Sequence, residues 1–404
     1  MNNTFSAVKI ADHVYWVGAI DWTLRDFHGY LTSRGTTYNA YLILADKITL
    51  IDTVKAPYKD EMLSRIASIV EPQRITYVVS NHSEMDHSGC LPDMIELAKP
   101  EKVFASAMGV KALHDHFHWD HEIISIKDGE SVSLGNMNLR FFETKMLHWP
   151  DSMFTYLPEE QVLFSQDGFG MHLASSERFD DEISDEILYF EAAKYYANII
   201  LPFSPIVTRT LDKLLKLNLP INLIATDHGP IWRKGIQKIV DLYAKWARHD
   251  PSNKCVIIYD TMWQSTRKMT QAIAEGAAAA GAKVKVMPLS ASHRSDVAVE
   301  MLDASALLVG SPTINTGIFP TVADVMTYLD GLKPSNLIGA AFGSYGWSGE
   351  AVRIVEDMLA EMRVELVEKA ISAKYVPTDG ILAQCHSLGR LVAEKLKQRC
   401  SGTT

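Results

Sequence analysis

The stretch Asn81-His82-Ser83-Glu84-Met85-Asp86-His87-Ser88-Gly89 packs imidazoles and carboxylates into a few residues. Crowded carboxylates repel one another and lose solvation unless a cation compensates, so His82, Glu84, Asp86 and His87 read as metal ligands. The preceding run, Ile75-Thr76-Tyr77-Val78-Val79-Ser80, is β-branched and aromatic and predicts a buried strand. Such a strand delivers the cluster to one rim of a sheet. Later residues share this setting: His148 follows the apolar run 139–143, Asp167 follows 162–165, and His228 follows 222–226. Singly, His148 and His228 are ordinary loop histidines and Asp167 is a turn residue before Gly168. As strand ends converging on the rim that carries His82, they complete a metal site.

A second constellation lies downstream. The run 256–259 leads into Asp260-Thr261-Met262-Trp263-Gln264-Ser265-Thr266 and then a helix. Hydroxyls and free backbone N–H groups at a helix N-terminus cradle an anion. Neither G-x-G-x-x-G nor a Walker lysine is present, which argues against a dinucleotide fingerprint and against nucleoside triphosphate hydrolysis. A single phosphate rich in hydroxyl contacts suits FMN. Alone, this loop is also an ordinary helix cap. Two further loops follow strands of the same region: one carries Pro312, Thr313, Ile314 and Asn315, the other Ser344, Tyr345, Gly346 and Trp347. Both lie at the carboxyl edge, where such sheets bind ligands. Tyr345 and Trp347 offer flat faces to an isoalloxazine ring.

The elements that position these residues change in texture along the chain. Up to about residue 250 the pattern is mixed. A strand at 14–19 is followed by a hairpin over 38–54, a helix over 58–69, a helix over 91–98 and the strand 102–105. Mostly strand follows from 122 to 167, then helix over 186–218 with breaks near Pro202 and Pro205. The polar, proline-containing run 248–254 is the linker candidate. Beyond it, strands at 255–259, 283–287, 306–310, 337–342 and 364–375 alternate with helices, which predicts an open parallel sheet covered on both faces. The expected domains are therefore 1–250 and 251–404.

Bulk properties narrow the class. The chain has 404 residues, a net charge of −10 and 4 cysteines. The charge disfavours nucleic-acid binding, because nothing offsets phosphate repulsion. Cys90, Cys255, Cys385 and Cys400 form no C-x-x-C pair, so a disulfide framework, a structural zinc site and an attached rubredoxin module are not expected. With no signal peptide and no membrane-spanning run, the expected location is the cytoplasm.

The metal constellation resembles the metallo-β-lactamase fold, an αββα sandwich with the signature H-x-H-x-D-H. The chain departs at one place, where Glu84 stands for the second histidine. A hard anionic oxygen replaces a neutral nitrogen. With Asp86 and Asp167 it neutralises much of the charge of two divalent metals, and carboxylates can bridge metals held about 3.5–4 Å apart. Imidazole-rich sites suit zinc, whereas mixed histidine and carboxylate sites with open positions suit iron and dioxygen chemistry. The later loops look like the phosphate and ring loops of flavodoxins.

Together the two halves resemble the flavodiiron proteins. The markers are the 81–89 stretch, Leu147-His148-Trp149-Pro150-Asp151-Ser152-Met153, Asp167-Gly168-Phe169-Gly170, Asp227-His228-Gly229 and Asp260-Thr261-Met262-Trp263. Within the family the chain is similar to the single-flavin rubredoxin:oxygen oxidoreductases. The resemblance implies one iron on His82, Glu84 and His148, another on Asp86 and His228, and Asp167 between them. His87 is a further candidate ligand, on which family members differ. It also implies reduction of dioxygen to water, of nitric oxide to nitrous oxide, or both, with FMN relaying electrons from rubredoxin or a reduced deazaflavin. A head-to-tail homodimer, or a tetramer, is the implied assembly. His28, His172, Tyr195 and Tyr196 are candidate proton donors. The competing readings are a dinuclear-metal hydrolase of the same fold and a non-catalytic electron carrier. Glu84 and the flavin loops oppose the first, and the complete ligand set opposes the second.

Overall fold

The computed structural model describes residues 4–402. Contacts among them separate two compact units. One holds the residues up to Tyr195 together with Phe203–Ala244. The other holds Tyr196–Pro202 and the residues from Lys245 on.

In the first unit, short β-branched and aromatic runs build two sheets. The seven-stranded sheet runs Val8–Lys9, Val14–Trp16, Tyr41–Ile43, Thr49–Ile51, Tyr77–Ser80, Lys102–Ser106 and Ile124–Ile126. The five-stranded sheet runs Ser131–Ser133, Asn138–Glu143, Met153–Leu157, Val162–Gln166 and Leu223–Thr226. Alternate side chains of a strand face opposite ways, and the central strands exploit this. Val78, Leu42 and Leu50 enter a core with the helix residues Met62, Ile66 and Met94. Their neighbours Val79, Ile43 and Ile51 enter a second core with Phe141, Leu157 and Phe164 of the other sheet. Two sheets thus share one core and helices cover the outside, as the αββα expectation required.

Pairing directions explain why the ligands meet. Asn138–Glu143, Met153–Leu157 and Val162–Gln166 pair antiparallel in turn, and Val162–Gln166 runs parallel to Leu223–Thr226. The strands that precede His148, Asp167 and His228 therefore end at the same rim.

The second unit is a parallel sheet in the order Lys283–Pro288, Lys254–Tyr259, Ala306–Pro312, Ile338–Tyr345, with Glu365–Leu366 and Ile371–Lys374 both on the last edge. This is the doubly wound order 2-1-3-4-5. The expected strand over 364–375 is broken. Its register jumps from the pair Gly339–Leu366 to the pair Phe342–Ile371, so the edge strand bulges out between them.

Two helices of more than ten residues were not anticipated. Ala107–Phe117 starts at Ser106, whose side chain accepts from Gly109 N, and stops at His118 with φ 49°. Gly109 and the histidines weaken its helical signal. Ile236–Arg248 buries Ile239, Tyr243 and Trp246, a helical spacing that the sequence does carry. The expected hairpin is shorter than read. Tyr38 belongs to Thr36–Tyr38, which pairs with Ala19–Asp21, and the chain breaks at Asn39. There the Asn39 amide donates to the carbonyls of Thr226 and Gly229 instead of continuing a strand. No helix among the described residues is long and apolar enough to cross a membrane.

Candidate metal centre and flavin cleft

The loop after Tyr77–Ser80 is fixed by Asn81. Its backbone N–H and its side-chain NH2 donate to the Asp52 carboxylate at 2.7 Å each, and its side-chain Oδ1 accepts from Thr155 Oγ1 at 2.6 Å. Asp52 and Gln166, at the feet of the site, adopt φ of 56° and 44°. Such left-handed backbone in non-glycine residues collects where a site over-determines its geometry.

Every residue read as a ligand reaches the rim, in two groups. His82, Glu84, His148 and Asp167 form one; Asp86, His87 and His228 form the other. Asp167 joins them. Its Oδ2 lies 3.0 Å from His148 Nε2 and 3.4 Å from His82 Nε2. Its Oδ1 lies 3.2 Å from His87 Nε2 and 3.5 Å from His228 Nε2. One carboxylate therefore offers one oxygen to each group, the geometry of a bridge between two metals.

The four histidines all turn Nε2 inward, and two have a hydrogen-bond partner behind. His82 Nδ1 lies 3.2 Å from Asp151 Oδ2, and His228 Nδ1 donates to the Thr37 carbonyl at 2.6 Å. An acceptor behind an imidazole fixes its tautomer and aims the other nitrogen's lone pair at a metal.

The electrostatics fit a pair of cations. Burial opposes charge on Glu84, Asp167, His82 and His87, yet their facing partners outweigh it. Burial pushes the Glu84 carboxyl up, but the bonds from His148 and His82 bring it down to about 2. Asp167 is held well below the carboxylate range by His87 and His148, against its own burial. Burial pushes His82 down, but Asp151 and Glu84 lift it well above the imidazole range, and Asp86 and Asp167 do the same for His87. The pocket thus keeps Glu84, Asp86 and Asp167 ionised and demands positive charge, which bound divalent metals supply in place of protons. Both Asp86 oxygens, Asp167 Oδ1 and His87 Nε2 are buried with no hydrogen-bond partner, the mark of groups reserved for a ligand.

The second unit carries a cleft of about 520 Å³, within the range of cofactor sites. Its wall takes Met262, Trp263 and Ser265 from the first loop, Pro312, Thr313, Ile314 and Asn315 from the second, and Ser344, Tyr345, Gly346 and Trp347 from the third. Trp263 and Trp347 are 89% and 88% exposed, so two large apolar faces stand open beside the cleft, which suits a planar ligand. Three loop residues lie outside the wall. Thr266 is buried with its hydroxyl 3.1 Å from Ser344 Oγ. Gln264 turns the chain at φ 71° into the helix Ser265–Ala279. Thr261 holds a buried hydroxyl with no partner. An unanswered hydroxyl and the N-terminus of a helix together fit a phosphate.

Comparison with known proteins agrees with both sites. Residues 36–229 match the ODP family beta lactamase model and residues 257–388 match the flavodoxin model. A nitric oxide reductase from Moorella thermoacetica is 48% identical over 393 residues, covering 96% of this chain and 98% of that one. The rubredoxin oxygen:oxidoreductase structure from Desulfovibrio gigas superposes with a TM-score of 0.96 at 44% identity, covering 98% and 99% of the two chains. The flavodiiron protein from Giardia intestinalis superposes with a TM-score of 0.94 at 31% identity over 99% of each. The chain belongs to the flavodiiron protein family.

This flavodiiron protein therefore has a β-lactamase-like part with a diiron site and a flavodoxin-like part that binds FMN. The sequence reading missed the groups behind the ligands. Asp151 and Asp227 lie inside the 147–153 and 227–229 motifs, where no role is assigned to them from sequence. An acid beside a ligand histidine is the available signal. Thr37 faces His228 through its backbone carbonyl, which any residue would supply. Tyr375 also lines the cleft, just past the strand Ile371–Lys374. Its signal was an aromatic at the end of the fifth strand.

Asp151 yields a direct prediction. Besides facing His82, its Oδ2 accepts from Ser83 N at 2.6 Å, so it orients both the ring and the ligand loop. Asp151→Ala is expected to lower iron affinity about 10–100-fold while the fold persists, measured by iron retention against a chelator.

Proposed function

We propose that His82, Glu84 and His148 hold one iron, that Asp86, His87 and His228 hold the other, and that Asp167 bridges them. The observation that carries this reading is the division of the two Asp167 oxygens between the two groups. The protein is a flavodiiron oxidoreductase that reduces dioxygen to water, nitric oxide to nitrous oxide, or both, in line with the names of its relatives. When bound, the iron pair supplies open positions for a diatomic substrate, and FMN relays electrons to it from a separate donor.

The chain's own residues do the rest. Glu84 faces His82 and His148 within the first group and lies 3.7 Å from the largely exposed His28 through Oε1. His28 is thus placed to bring a proton from solvent to the ligand shell. Burial, with the Asp167 charge behind it, pushes the Tyr195 hydroxyl well above its usual range, so it stays a proton donor. His172 Nδ1 lies 2.9 Å from Thr36 Oγ1; burial and the nearby His228 push it well below its usual range, so it is neutral. Tyr196 instead meets Trp246, at 5.1 Å between ring centroids, and has a packing role.

Rubredoxin is the proposed donor, after the name of the Desulfovibrio gigas relative, and a head-to-tail homodimer is the proposed assembly. The four cysteines are all free, which supports a reducing cytoplasm. The test is anaerobic reduction of the holoprotein with reduced rubredoxin, followed by parallel measurement of oxygen and nitric oxide consumption. Sustained consumption of either supports the reading. Consumption of neither, by protein that carries both cofactors, contradicts it.

A further inference from the structure

Asp227 is a carboxylate in an unusual position. It is 0% exposed, and neither of its oxygens has a hydrogen-bond partner. The nearby Asp52 is equally buried but is answered at both oxygens by Asn81. Among the described residues the one ion-pair partner of Asp227 is His87, whose Nδ1 lies 3.4 Å from its Oδ2. That nitrogen also lacks a hydrogen-bond partner. Both backbones are pinned: the His87 carbonyl accepts from Thr53 N and Thr53 Oγ1, at 2.9 and 2.7 Å. Asp227 N donates to the Gln166 carbonyl at 2.9 Å, and its own carbonyl accepts from Asn39 N at 2.8 Å. On the far side of the ring, Nε2 stands 3.2 Å from Asp167 Oδ1 and 3.4 Å from Asp86 Oδ1.

A neutral imidazole carries one proton on one of its two nitrogens, and an acceptor behind the ring decides which. We propose that Asp227 is a positioning residue for His87. By accepting a hydrogen bond from Nδ1–H it commits the ring to one tautomer, with the Nε2 lone pair turned to the second metal, and it keeps the ring from swinging away. This rests on the proposed role of His87 as a ligand, and the test separates the two.

The test is Mössbauer spectroscopy of the iron-57-loaded holoprotein in four forms: unmodified, His87→Ala, Asp227→Leu and the double variant. Leucine fills similar space and removes the acceptor. The expected result is that His87→Ala moves the signal of one iron and leaves the other. Asp227→Leu should move the same signal in the same sense. In the double variant Asp227→Leu should add nothing, since a residue that acts only through His87 has no further effect once His87 is gone. If His87→Ala leaves both signals in place, the ligand reading fails and the proposal falls with it. If His87→Ala shifts one signal but Asp227→Leu does not, His87 remains a ligand and Asp227 has no part in placing it. Loss of both irons or of the fold in Asp227→Leu would also overturn the proposal, because it would assign Asp227 to the scaffold and not to one ring.

Discussion

Asp167→Ala is expected to lose both irons and to bring oxygen and nitric oxide consumption to background. Every other ligand belongs to one of the two groups, whereas Asp167 faces the first through Oδ2 and the second through Oδ1. Removing it deletes a ligand from both metals at once. It also removes the common acceptor that faces His82, His87, His148 and His228. Loss of a partner outside the ligand shell already costs about 10–100-fold in metal affinity, so loss of the shared ligand costs more at each metal. His148→Ala provides the comparison. It strips one ligand from the first group alone, and at limiting iron it should retain more metal than Asp167→Ala. The check is iron content after chelator challenge beside the consumption rates. Asp167→Ala protein that keeps both irons would show that the two groups do not share this carboxylate.

Stripping FMN is expected to abolish donor-driven turnover and to leave the iron content unchanged. All the wall residues of the cleft lie beyond Lys245, and all the proposed iron ligands lie before it. Neither site takes a side chain from the other's stretch of sequence, so losing the flavin removes the electron route without removing a ligand. Added FMN should restore turnover. The check is flavin absorbance, iron content and oxygen consumption on one preparation before and after deflavination. Loss of iron along with flavin would mean that the two sites are not built independently.

The chemistry was legible in the sequence to the extent that it depends on residue type at a strand end. His82, His148, Asp167 and His228 each follow an apolar run, and each reaches the shared rim. The parallel sheet was legible for the same reason, since its central strands Lys254–Tyr259, Ala306–Pro312 and Ile338–Tyr345 are almost continuous buried runs. Groups that act through backbone atoms or across sequence were not. Thr37 serves His228 by its carbonyl from 191 positions away. Asn39 ends a strand early to hold the loop that carries His228, although its neighbours read as continuous strand. The break in the last edge strand depends on how its neighbour Ile338–Tyr345 takes the register, which no local pattern encodes.

The central claim is that one chain carries a diiron site and a flavin. Metal and flavin analysis of the protein, purified under anaerobic conditions and supplied with iron and FMN, tests it most directly. The expected result is two irons and one FMN per chain, with Asp167→Ala losing the irons and keeping the flavin. Tightly held zinc in the site with no bound flavin would contradict it.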